Sequence, residues 1–147
     1  MNISKTYSTF HIEDFYFGIL TTDVTELTKE NEVTTVPLAP ASVHGLINLR
    51  GRIVTAINMR QRLGMTQSQY SDKNITVFLS HKGDLFGLLV DGVSDILELD
   101  SESFEPPPSN MAHSSQDMIL GVHKLADKLL FILDPAKIID GIELTHD

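Results

Sequence analysis

The stretch from residue 43 to residue 65, VHGLINLRGRIVTAINMRQRLGM, constrains this chain more than any other. Two apolar runs, residues 45–49 and 52–58, flank Arg50-Gly51. Glycine at the second turn position supplies the positive φ that a two-residue hairpin requires. Leu46, Ile47 and Leu49 on one strand, and Ile53, Val54, Ala56 and Ile57 on the other, are dense enough to predict burial on both faces. A short helix is predicted over residues 59–63, stopped by Gly64. All four arginines of the protein, Arg50, Arg52, Arg60 and Arg62, fall in this window, although the chain carries a net charge of -9.

Elsewhere the pattern is strand-rich. Strands are expected over residues 6–12, 15–20, 32–36, 74–80, 85–90, 93–97, 118–125 and 129–133. Residues 21–29 suit either a helical turn or a polar strand, and residues 41–44 suit one helical turn. His81-Lys82-Gly83-Asp84 reads as a hairpin turn, and Pro106-Pro107-Pro108 as a stiff extended connector. Asp134-Pro135 pairs an N-cap with proline at the first helical position, which predicts a helix over residues 136–140 ending near Gly141. About eight to ten short strands with frequent turns predict a mainly β fold, a barrel or a sandwich.

Composition removes several functions. Cysteine is absent, so neither a disulfide nor a thiolate metal site is available. No apolar run approaches the roughly 20 residues of a membrane span, and residues 1–8 lack the apolar region of a secretory signal. Twenty acidic residues against 11 basic ones argue against nucleic acid as a partner. The chain holds no G-x-S-x-G, H-E-x-x-H or phosphate-loop motif. His11, His44, His81, His113, His123 and His146 have no ligand spacing, and His44 and His123 read as ordinary surface or partly buried imidazoles. Carboxylates crowd residues 91–105 without the spacing of a calcium loop. No catalytic residue, cofactor or metal is therefore expected. Arg52, Arg60 and Arg62 are expected to be surface charge or to pair with the chain's own carboxylates. Arg50, beside the turn glycine, reads as a brace for the hairpin and as an interface anchor.

Gly45-Leu46-Ile47-Asn48-Leu49-Arg50-Gly51, followed by Asn58-Met59-Arg60 and Leu63-Gly64, resembles the signature of the CheW family, the coupling proteins of bacterial chemotaxis. Phe17-Gly18-Ile19, Val24-Thr25-Glu26-Leu27, Val36-Pro37 with Pro40, Val90-Asp91-Gly92-Val93-Ser94-Asp95-Ile96-Leu97, and Ile119-Leu120-Gly121 with residues 129–134 resemble its other motifs, in order. The resemblance implies two intertwined SH3-like five-stranded β-barrels with one or two short helices. Together they would form a single CheW-like domain over residues 1–147. It implies a non-catalytic, cytoplasmic scaffold joining a chemoreceptor's cytoplasmic tip to the regulatory domain of the histidine kinase CheA. Other CheW-like domains are further candidate partners, and neither nucleic acid nor direct membrane insertion is expected.

Carried over by motif, the receptor-binding residues are Val24, Glu26, Gly45 and Arg50. Val24 would give apolar contact, Glu26 a charge partner, Gly45 room for close approach, and Arg50 oriented hydrogen bonds. Asn48 is expected to support the turn. The kinase-contact positions flanking the proline run are Glu105 and Asn110, where the family often has a basic residue and an aromatic one. A second departure is Asn58-Met59 where Asp-Leu is frequent. Two other readings stand beside this one: an adaptor of another kinase pathway, serving surface motility or second-messenger control, and a small-molecule-binding or enzymatic barrel.

Overall fold

A computed structural model describes residues 3–29, 31–65, 75–110, 113–140 and 142. Eleven strands run in chain order: β1 Ser4–Ile12, β2 Phe15–Leu20, β3 Val24–Lys29, β4 Val43–Leu49, β5 Arg52–Ile57, β6 Ile75–His81, β7 Asp84–Val90, β8 Gly92–Asp100, β9 Phe104–Glu105, β10 Ile119–Lys124 and β11 Leu129–Leu133. Three short helices, α1 Met59–Arg62, α2 His113–Met118 and α3 Pro135–Asp140, and two 3-10 turns complete the described chain. None of these helices is long and apolar enough to cross a membrane.

The central hairpin forms as expected. Leu49 pairs with Arg52, and the two residues between them both take positive φ, 51° at Arg50 and 86° at Gly51. That is the turn whose twist matches the twist of the flanking strands. Asn48 supports it, its side-chain oxygen accepting from the Gly51 amide at 2.9 Å. Helix α1 then has a complete cap at each end. Asn58 accepts from Gln61 N–H at the start, so it supplies the capping oxygen that aspartate would otherwise bring. At the end, Gly64 N–H bonds to Gln61 and Met65 N–H to Arg60, with Gly64 at φ 73°, which is a Schellman motif. Helix α3 starts where Asp134 caps Ala136 N–H at 3.0 Å.

The strands build two interleaved sheets, ordered β8-β1-β2-β11-β10-β9 and β3-β6-β7-β5-β4. The chain starts in the first, builds the second, and returns. In the first sheet the two end strands, β8 and β9, are one stretch of chain bent at the 3-10 turn Ser101–Ser103. Counted as one bent strand they make five, as expected of a small barrel. In the second sheet Thr34 and Leu46 exchange both backbone hydrogen bonds, at 2.9 and 2.8 Å. The chain that leaves β3 at one edge thus comes back along β4 at the other.

Each sheet has a small core of its own. Ile47, Leu49, Val54, Ala56, Phe78 and Leu89 fill the second, and Tyr7, Tyr16, Leu130 and Ile132 the first. The largest cluster is shared, with Phe10, Ile12, Phe17 and Ile19 from one sheet against Ile57, Val77, Leu79, Leu88 and Val90 from the other, closed over by Ile138 and Ile139 of α3. Two thin cores fused on a third is what small β units gain by packing together.

Several expectations are resolved or corrected. Residues 21–29 take the strand alternative over Val24–Lys29, after a 3-10 turn at Thr21–Asp23. Residues 41–44 are not a helical turn. Val43 N–H bonds back to Pro40 O at 2.9 Å and β4 begins there. Of residues 32–36 only Thr34 pairs, as a single bridge. The strand expected from residue 118 begins at Ile119, because Met118 ends helix α2. Ile53, expected inside, is 66% exposed. Expectations for residues 66–74, Gly141 and His146 fall outside the described residues.

Candidate functional site

Glu26 and Arg50 lie 24 residues apart in sequence, Glu26 on edge strand β3 and Arg50 in the turn that ends β4 at the opposite edge of the second sheet. Arg50 Nη2 nonetheless donates to Glu26 Oε1. The contact spans the seam where the sheet's edges approach. The Arg50 side chain is 70% exposed and that of Glu26 23%, so the guanidinium has its remaining donors in solvent. Val24, two residues before Glu26, is half-buried against the shared core.

Gly45 behaves differently from the expectation. It is buried, and a Cβ there would lie 2.4 Å from Thr34 O and 2.6 Å from Val33 Cγ1. The close approach is made by the chain's own residues 33–34, which close the sheet. Two exposed apolar residues neighbour the pair in sequence or register. Leu27 is next to Glu26 and 46% exposed, and Ile53, cross-strand from Asn48, shares the Arg50 hairpin. The alternation in residues 24–29 carried a signal for Leu27. Nothing in the apolar β5 run marked Ile53.

An exposed pair of this kind contributes about 0–1 kcal/mol, and Arg50 sits in a backbone region that glycine tolerates better. Arg50→Ala is therefore expected to change unfolding free energy by less than about 1 kcal/mol in chemical denaturation. A larger loss would mean that the pair holds the seam shut.

Arg60 and Arg62 are structural. Arg60 takes the second of its two expected roles, pairing with the chain's own carboxylates, but from a buried position, its side chain only 8% exposed. Its Nε donates to Glu13 Oε2 at 3.1 Å and its Nη2 to both Asp91 oxygens at 2.6 and 2.8 Å. Arg62 donates to the carbonyls of Ile138 and Lys137, both at 3.0 Å, so it caps the end of α3. Glu105 and Asn110 belong to a separate region. Glu105 is on β9 at the edge of the first sheet and accepts from Lys124 Nζ at 3.3 Å. Asn110 is in an exposed turn beyond the proline run. Glu26 and Glu105 thus belong to different sheets. Among the described residues no three histidine, aspartate or glutamate side chains come together as a metal site.

The family model for the CheW-like domain matches residues 6–143. The chain is similar to the chemotaxis protein CheW of Klebsiella aerogenes, 26% identical over 142 residues, covering 97% of this chain and 86% of that protein. It is 29% identical to the chemotaxis protein CheW of Rhizobium meliloti over 125 residues, covering 85% and 81%. Among solved structures it resembles the scaffolding protein TtCheW from Thermoanaerobacter tengcongensis, with a TM-score of 0.80 and 29% identity over 90% of each chain.

Proposed function

This chain belongs to the CheW family, and from that premise we propose that it is a non-catalytic scaffold of chemotactic signalling, coupling chemoreceptor tips to the regulatory domain of the kinase CheA. The observation that carries the reading is the Glu26–Arg50 pair. Two residues distant in sequence meet at an exposed seam, with free guanidinium donors and with Leu27 and Ile53 close by in sequence and register. Such a surface suits a helical protein partner, which offers carboxylates to the fork and apolar side chains to the flanks. Glu105, on the edge of the other sheet, and Asn110, in the turn beyond the proline run, would supply the separate face that a scaffold needs. The mechanism is positional. Holding receptor and kinase in a fixed relation lets a receptor change shift the kinase's active population.

The test is binding of the purified protein to a receptor signalling-tip fragment and, separately, to a CheA regulatory domain, followed by calorimetry. Two independent binary complexes are expected. Binding to neither at tens of micromolar would move the assignment to an adaptor of another kinase pathway.

A further inference from the structure

One buried imidazole packs against the closing segment of the first sheet. His123, on β10, is 1% exposed. Its ring lies 5.7 Å from that of Tyr7 on β1 and 5.3 Å from that of Phe104 on β9. Nδ1 is 2.8 Å from Ser103 Oγ. That hydroxyl has a single proton, and its oxygen also lies 2.9 Å from the Asp100 carbonyl, which can only accept. The proton goes to Asp100, so Ser103 accepts from His123 Nδ1–H. This fixes the tautomer and leaves Nε2 with a bare lone pair. Nε2 is buried and has no hydrogen-bond partner among the described residues.

A neutral nitrogen can sit there at modest cost. An N–H⁺ in the same place would be an unpaired charge among apolar groups. The packing leaves little slack: a Cβ on Gly121 would meet Phe104 Cζ at 2.2 Å and Glu105 O at 2.6 Å. Among the described residues no acceptor is within hydrogen-bond reach of Nε2. Tyr7 faces it from β1 with a phenol that burial pushes up. From β11 its cross-strand neighbour is Leu130, and that strand, LLFIL, has no titratable residue. The closing segment brings Glu105, which pairs with Lys124, and Asp100 and Glu102, with the Asp100 carboxylate taken by the Glu102 amide at 2.9 Å.

We propose that His123 is an acid-sensitive latch: protonation at Nε2 releases residues 101–105 from β10 while the second sheet stays folded. The surface carrying Glu105 and Asn110 is then ordered at neutral pH and lost in acid. That last consequence rests on the kinase-contact reading above, whereas the latch does not. Burial lowers the docked imidazole below its ordinary pKa, and the released one titrates near 6.5. Docking is therefore at full strength above about 6.5 and weakens about tenfold per pH unit below it, until the docked pKa is reached.

The test is amide hydrogen exchange of the full chain between pH 7.5 and 5.0, corrected for intrinsic rates. Amides of Phe104, Glu105, Val122 and His123 are expected to lose protection about tenfold per pH unit below about 6.5. Phe78 and Leu79 in β6 are expected to keep theirs, and His123→Phe to abolish the pH dependence. Flat protection at β9–β10, an equal loss in β6, or an unchanged slope in His123→Phe would each overturn the latch. Direct titration of the wild-type ring gives an answer even if that variant does not fold, since a pKa at or above 6.5 overturns the proposal. Kinase-domain binding is measured in parallel at pH 7.5 and 5.5. A latch that opens in acid, with no binding at either pH, supports the latch and overturns only the kinase-contact reading.

Discussion

Replacing Arg60 with alanine is expected to lower stability by about 3 kcal/mol and the unfolding midpoint by about 6–12 °C. Arg60 leaves α1 at the end of the central hairpin and reaches two turns at once. It bonds Glu13 in the β1–β2 turn and Asp91 in the β7–β8 turn, while the Asp91 carboxylate also accepts from Glu13 N–H at 2.6 Å. One guanidinium thus joins elements of both sheets. Removing it leaves two carboxylates side by side, each only partly reached by water, at 37% and 26% exposure. The lower end of the range for a broken buried pair applies, because solvent relieves some of the repulsion. Arg60→Met restores volume but not charge and is expected to lose nearly as much. A loss below about 0.5 kcal/mol in denaturant unfolding would put Arg60 among the weak surface pairs.

Gly45→Val is the second large effect. The added side chain must displace the Thr34 carbonyl oxygen, which accepts from Leu46 N–H in the Thr34–Leu46 bridge. Overpacking of this kind costs about 1–3 kcal/mol, and loss of the two bridge hydrogen bonds adds about 0.5–1.5 kcal/mol each. The variant is expected to unfold at clearly lower denaturant and to expose residues 33–35 to proteolysis. Full stability combined with lost receptor binding would instead return Gly45 to the partner-facing role inferred from sequence.

The hairpin, the turn at Arg50-Gly51, the N-cap at Asp134 and most strands were legible because each rests on local chemistry. Long-range facts were not. Pairing of Arg60 with the chain's own carboxylates was one expected role, but neither the partners nor the burial could be read, because the partners are 47 and 31 residues away. Gly45 looks like an open approach because the segment that fills the space pairs through a single residue, Thr34. Ile53 sits in a run too apolar to show which face is solvent. His123 carries no motif, and its burial follows from a closing segment whose two-residue strand leaves almost no pattern. The pairing of Glu26 with Arg50 is an intermediate case. The family resemblance marked both residues, but only the curled sheet brings them into contact.

The central claim is that this chain bridges receptor and kinase through separate faces. Its most direct test is a sizing-column experiment with a receptor tip fragment, a CheA regulatory domain and this protein together, repeated with Arg50→Glu. The account predicts one ternary peak for the wild type. With the variant, the kinase domain should stay with the protein and the receptor fragment should elute alone. A ternary peak unchanged by Arg50→Glu, or loss of both partners from a variant that remains folded, would contradict it.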